Sequence, residues 1–116
     1  MNIGMEKKDF WAYANDLYLV GSNIKCLAGH TKPIDIILPE ENLRINDIYW
    51  KYDDPNQPLK SLLICEKTPV LKTDGTIDFT KLKVTFFNDG PDDISFTVQA
   101  KLMEKVGEIE VKPISS

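Results

Sequence analysis

Between residues 94 and 102 the chain alternates without a break: Ile94, Phe96, Val98, Ala100 and Leu102 are apolar, with Ser95, Thr97, Gln99 and Lys101 between them. A period of two puts the apolar row on one face of an extended strand and the polar row on the other. Residues 81–87 follow the same rule, with Leu82, Val84 and Phe86 opposed to Lys83, Thr85 and Phe87. In residues 45–52, Ile48, Trp50 and Tyr52 share a side against Asp47, Tyr49 and Lys51. Shorter apolar runs at 24–28, 34–38 and 59–66 also read as strands. The run 62–65 lacks alternation, which predicts a central strand covered on both faces. Residues 68–71 contain Pro69 and read as a short edge segment. Residues 108–111 read as a last strand after a turn at 105–107.

Turn chemistry separates these runs. Residues 53–58 are Asp, Asp, Pro, Asn, Gln and Pro; Asp74-Gly75 is a hairpin-type pair; residues 88–93 are Asn, Asp, Gly, Pro, Asp and Asp. The N-terminal segment differs. Phe10, Tyr13, Ala14, Leu17 and Tyr18 fall at i, i+3, i+4, i+7 and i+8, which predicts an amphipathic helix over residues 9–20 stopped by Gly21. A strand over residues 17–20 competes with it, since Leu, Tyr and Val suit a half-buried sheet. About seven short strands, with turns about every ten residues and no crossover helix between them, exclude a parallel sheet. The expected fold is all-β, an antiparallel β-sandwich of immunoglobulin-like type over residues 21–116, preceded by an N-terminal helix or docking arm over residues 1–20.

Residues 84–90, Val-Thr-Phe-Phe-Asn-Asp-Gly, followed by Ile94-Ser95-Phe96-Thr97-Val98, resemble the penultimate hairpin of many immunoglobulin-like adhesion and assembly modules. The resemblance spans about fifteen residues, implies the fold alone, and expects Gly90 to supply a positive φ. The Cys, Trp, Cys pattern of true immunoglobulin domains is not met, because Trp50 and Cys65 are too close in sequence.

Composition narrows the function. A chain of 116 residues with 28% charged and 42% apolar positions has the balance of a single folded domain. Its net charge is −4, and Arg44 is the one arginine among 14 basic residues. Nucleic acid and anionic membrane are therefore not expected as partners, since both call for clustered basic charge. Cys26 and Cys65 lie in apolar runs without a CxxC pair, and read as free core thiols rather than zinc ligands or a disulfide. Residues 1–10 carry Glu6, Lys7, Lys8 and Asp9 before any apolar run, so no secretory leader is expected, which implies cytoplasmic synthesis.

The chemical inventory is thin. His30 is the only histidine, four residues after Cys26, and neither GxSxG nor HExxH is present. No catalytic residue, cofactor or metal is expected. The aspartates at 53, 54, 74, 78, 89, 92 and 93 are what turns are made of, although sandwich loops can bind calcium. Two aromatic groups remain. Phe10, Trp11, Tyr13 and Tyr18 place four of eleven aromatics in the first eighteen residues, as a partner-docking segment would. Tyr49, Trp50 and Tyr52 could form a platform that stacks on a sugar ring. The expected function is a non-catalytic protein-binding sandwich, a structural or accessory subunit of a larger assembly such as a virion, with another protein or its own copies as partner. The alternative is a carbohydrate-binding module.

Overall fold

The computed structural model describes residues 6–55 and 63–111. Seven strands run in the order β1 (Glu6–Tyr13), β2 (Tyr18–Cys26), β3 (Thr31–Ile37), β4 (Leu43–Tyr52), β5 (Leu63–Leu71), β6 (Ile77–Asn88) and β7 (Ile94–Val111). They form two sheets in which every pairing is antiparallel. In one sheet β7 is central: β4 lies along one edge, and β1 and β2 lie end to end along the other. In the second sheet β6 is central between β3 and β5. The architecture is an antiparallel β-sandwich.

The core follows the alternation read from the sequence. Ile94, Phe96, Val98, Ala100 and Leu102 of β7 are buried, and they face Val84 and Phe86 of β6. The Phe86 and Phe96 rings lie 4.8 Å apart at 55°, a tilted pair across the two sheets. Burial of each such side chain contributes about 1.5–3 kcal/mol. Polar residues hold the end of the sandwich where β2 and β6 finish. Asn88, fully buried, donates its amide to the carbonyls of Cys26 (3.0 Å) and Asp92 (2.7 Å) and accepts from the Gly90 N–H (3.0 Å).

Several expectations are corrected. No helix occurs among the described residues: residues 6–13 and 18–26 are strands. The helical spacing loses because β7 would otherwise present an unpaired edge of backbone donors and acceptors, which β1 and β2 satisfy. Gly21 lies inside β2, between two register irregularities, and stops nothing. Residues 63–71 are one strand, and β5 is an edge rather than a central strand, with Ile64 exposed; residues 59–62 lie outside the described residues. Residues 105–107 are not a turn. The register passes from Trp11–Lys105 to Phe10–Gly107, so Val106 is the extra residue of a bulge and β7 continues to Val111. Residues 88–94 do not close a hairpin either, because β6 and β7 belong to different sheets. Gly90 does not take the positive φ expected of it; among the described glycines that conformation is found at Gly29 and Gly75.

The long β7 gives the molecule its shape. At about 3.3 Å per residue, its 18 residues outrun the sandwich. From Lys105 to Val111 it pairs, among the described residues, with β1 alone, as a two-stranded ribbon. The radius of gyration is accordingly 19.1 Å, with extents of 68 × 30 × 28 Å, against about 13 Å for a compact domain of about 100 residues.

Candidate interaction surface

The ribbon carries two of the four aromatic residues expected to dock a partner, and the other two lie close to its root. Along β1 Phe10 and Ala12 share one face, and Ala14, just beyond the strand, packs against the core. Phe10 is 52% exposed. Trp11 and Tyr13 take the opposite face. Tyr13 is 59% exposed, with the Lys101 ammonium 4.8 Å from its ring centre. Tyr18 begins β2 opposite Ala100 and is partly exposed. The four aromatics therefore lie along one sheet edge without forming one patch.

Trp11 is occupied within the molecule. The Arg44 guanidinium lies 4.0 Å from the centre of its ring and 4.8 Å from that of Phe79. A planar cation stacks favourably on such faces. Arg44 thus joins β1, β4 and β6, tying the root of the ribbon to both sheets. A cleft of about 510 Å³ opens beside it, lined by Asp9, Glu41, Lys72 and Lys105 among others. Two of its charges pair with each other, Asp9 and Lys105. The Lys105 ammonium sits 3.1 Å from Asp9 and 3.0 Å from Glu108. Asp9 and Glu108 are directly opposed across the ribbon, and Lys105 relieves their repulsion. Glu108 and Asp9 together hold its pKa above the usual lysine value.

The sugar-stacking group is divided by the strand. Tyr49 lies opposite Gln99 and Trp50 opposite Val98, so the two rings leave β4 on opposite faces. Trp50 turns its ring edge to Phe86, 5.4 Å away at 77°, and remains 37% exposed. The Tyr52 hydroxyl accepts the Leu63 N–H at 3.3 Å, which links the sheets.

The remaining polar residues serve the fold. The Cys26 thiol donates to the His30 carbonyl (3.2 Å) rather than engaging the ring, and burial pushes its pKa up, away from a reactive thiolate. The His30 ring contacts the Ala28 carbonyl at 2.9 Å. Cys65 is also a free thiol, but half-buried rather than in the core. Asp53 accepts the hydroxyls of Thr97 (2.6 Å) and Ser95 (2.7 Å), which hold it below the usual carboxylate range. Asp74 and Asp78 accept the N–H and hydroxyl groups of Thr76 and Thr80. Asp93 accepts the Ala28 N–H. Among the described residues no group of three or more His, Cys, Asp or Glu is placed to hold a metal ion.

Sequence reasoning missed Arg44, Val106 and Ile109. Val106 and Ile109 are 55% and 51% exposed on the ribbon. The signal for them was present in the apolar and acidic residues that follow Lys105, once Gly107 is read as part of a strand. No protein-family model matches this sequence, and neither a curated protein nor a solved structure matches it.

Proposed function

We propose that this chain is a non-catalytic protein-binding sandwich, a structural or accessory subunit of a larger assembly, which docks through the ribbon of β1 and the end of β7. The ribbon itself is the observation that carries this reading. It stands beyond both sheets with Phe10, Val106 and Ile109 each more than half exposed. A lone two-stranded ribbon is marginal in water and gains stability from a further strand or a covering surface. Exposed aromatics are the residues that dominate interface energy. An assembly such as a virion, in which many copies of small modules join, suits a domain with a projecting docking element. The carbohydrate-binding alternative has less support, because Tyr49 and Trp50 do not share a face.

The test is the double substitution Phe10→Ala and Tyr13→Ala, with thermal stability and the mass of the native assembly measured on the same sample. Both side chains are largely in solvent, so the melting temperature should hold within a few degrees, as for surface substitutions, while the assembly is lost. A collapse in stability with the assembly intact would refute the docking role.

A further inference from the structure

We infer that the cleft at the root of the ribbon binds a carboxylate, with Arg44 as the residue that receives it. The site goes beyond the docking role of the ribbon and does not depend on it.

The cleft, about 510 Å³ in volume, has the size of a small-molecule site. Its walls come from parts of the chain far apart in sequence: Trp11 in β1, Glu41 before β4, Arg44 in β4, Lys72 between β5 and β6, Phe79 in β6 and Lys105 in β7. Arg44, the only arginine of the chain, is half-buried. Its guanidinium lies 4.0 Å from the Trp11 ring centre and 4.8 Å from that of Phe79, so two aromatic rings stand where a buried arginine usually meets a carboxylate. A guanidinium also carries five N–H donors. Among the described residues Arg44 donates no side-chain hydrogen bond and enters no ion pair. An arginine held by two rings, with its donors unused, is a receptor set in advance for a planar anion. Having it in place beforehand lowers the ordering cost of binding.

The other charges of the cleft select the kind of anion. Asp9 is paired with Lys105 at 3.1 Å. Asp78 accepts the Thr80 N–H (3.0 Å) and hydroxyl (2.6 Å) and lies 4.0 Å from Lys81. That leaves Arg44 and Lys72 against Glu41, two cations and one acid, none of them in an ion pair among the described residues. A surplus of one positive charge suits a monoanion. A phosphate dianion would set its second charge against the nearby acids, whereas the two oxygens of a carboxylate match the guanidinium fork. Lys72 is fixed on the rim by its own turn: its N–H donates to the Thr76 carbonyl (2.7 Å) and its carbonyl accepts the Gly75 N–H (3.0 Å). The exposed part of Phe79 offers an apolar wall to the body of the ligand.

Benzoate tests the site, with benzamide, the same ring without the charge, as its control. In a Trp50→Phe background Trp11 is the only tryptophan, and its contact with Arg44 makes its emission a reporter of the cleft. Benzoate should change that emission along a saturable curve with a midpoint on the order of millimolar. Benzamide should bind about tenfold more weakly or not at all. Arg44→Gln should abolish the response to benzoate. Because that change also removes the stack, Lys72→Glu serves as a second variant. Lys72 is exposed and its side chain makes no ion pair among the described residues, so the fold should hold while benzoate binds about threefold more weakly or worse. A response that does not saturate, that benzamide matches or that persists in Arg44→Gln overturns the inference, as does a Lys72→Glu protein that binds benzoate as tightly as its parent. A free organic acid and an acidic side chain of a docked protein present the same group. Saturating benzoate added to the native assembly separates them: a released partner identifies the side chain as the natural source, and an intact assembly identifies a free acid.

Discussion

The side-chain amide of Asn88, the last residue of β6, donates to the carbonyl of Cys26, the last residue of β2, and so joins the two sheets through one buried hydrogen bond of 3.0 Å. The backbones follow the same line: Gly29 donates to the Asn88 carbonyl (2.8 Å) and Asn88 to the His30 carbonyl (3.1 Å). One buried amide thereby fixes the junction of the sheets and the start of the crossing to β7.

Asn88→Ala removes two donated bonds and one accepted bond at a site without solvent, leaving the Cys26 and Asp92 carbonyls short of a donor. Unsatisfied buried groups cost about 1–3 kcal/mol each, so a loss of about 2–4 kcal/mol is expected by urea denaturation. Asn88→Asp should be at least as damaging, because a carboxylate cannot donate to either carbonyl. A loss below about 0.5 kcal/mol, the level of an ordinary surface change, would contradict this account.

Arg44→Lys keeps the charge and loses the planar stack on Trp11 and Phe79. A cost of about 0.5–1 kcal/mol is expected, accompanied by a change in tryptophan emission from Trp11. Arg44→Ala should cost more, since the aliphatic stem also packs. An unchanged emission spectrum in Arg44→Ala would show that the stack is not maintained in solution.

Asp53 supplies a pH dependence with a definite sign. Its folded pKa is depressed below the ordinary 3.8, chiefly by the Thr97 and Ser95 hydroxyls. Its contribution is therefore present above the unfolded value and lost as pH falls through the folded one. Asp53→Asn should lower the melting temperature at neutral pH and narrow the difference between neutral pH and pH below 3.8. Parallel melting curves for the two proteins across this window would count against the role.

The two thiols should separate kinetically. Cys26 is buried and bonded to the His30 carbonyl, while Cys65 is half-buried on an edge strand. A polar thiol reagent should modify Cys65 slowly in the native protein and Cys26 only on unfolding. Equal native rates for both would contradict the burial.

The legible parts of the sequence were those where one face meets the core. Residues 94–102 and 81–87 alternate because each is central in its sheet and covered on one side, and both were read correctly. The N-terminal segment was misread for the converse reason. Trp11 and Tyr13 lie on one face of β1 and a largely exposed Phe10 on the other, so apolar residues occupy both faces and the strand period vanishes. Lys105-Val106-Gly107 resembled a turn because a bulge needs the same residue types. Arg44 and Asn88 gave no sequence signal, since each acts by joining distant elements. Asp74, read as a turn residue, holds its turn through the Thr76 N–H and hydroxyl, whereas Asp78, read the same way, lies inside β6 and accepts those groups of Thr80 there.

The central place of β7 has a consequence for how the chain folds. β1, β2 and β4 all precede β7 in sequence, and in their sheet each pairs with β7 and with no other described strand. During synthesis the second sheet can assemble first, since β3, β5 and β6 are all available before β7 is made. The first sheet must wait, with three strands exposed and without a template. Closing it then requires contacts between the two ends of the chain, the long-range kind that slows folding and leaves intermediates prone to aggregate.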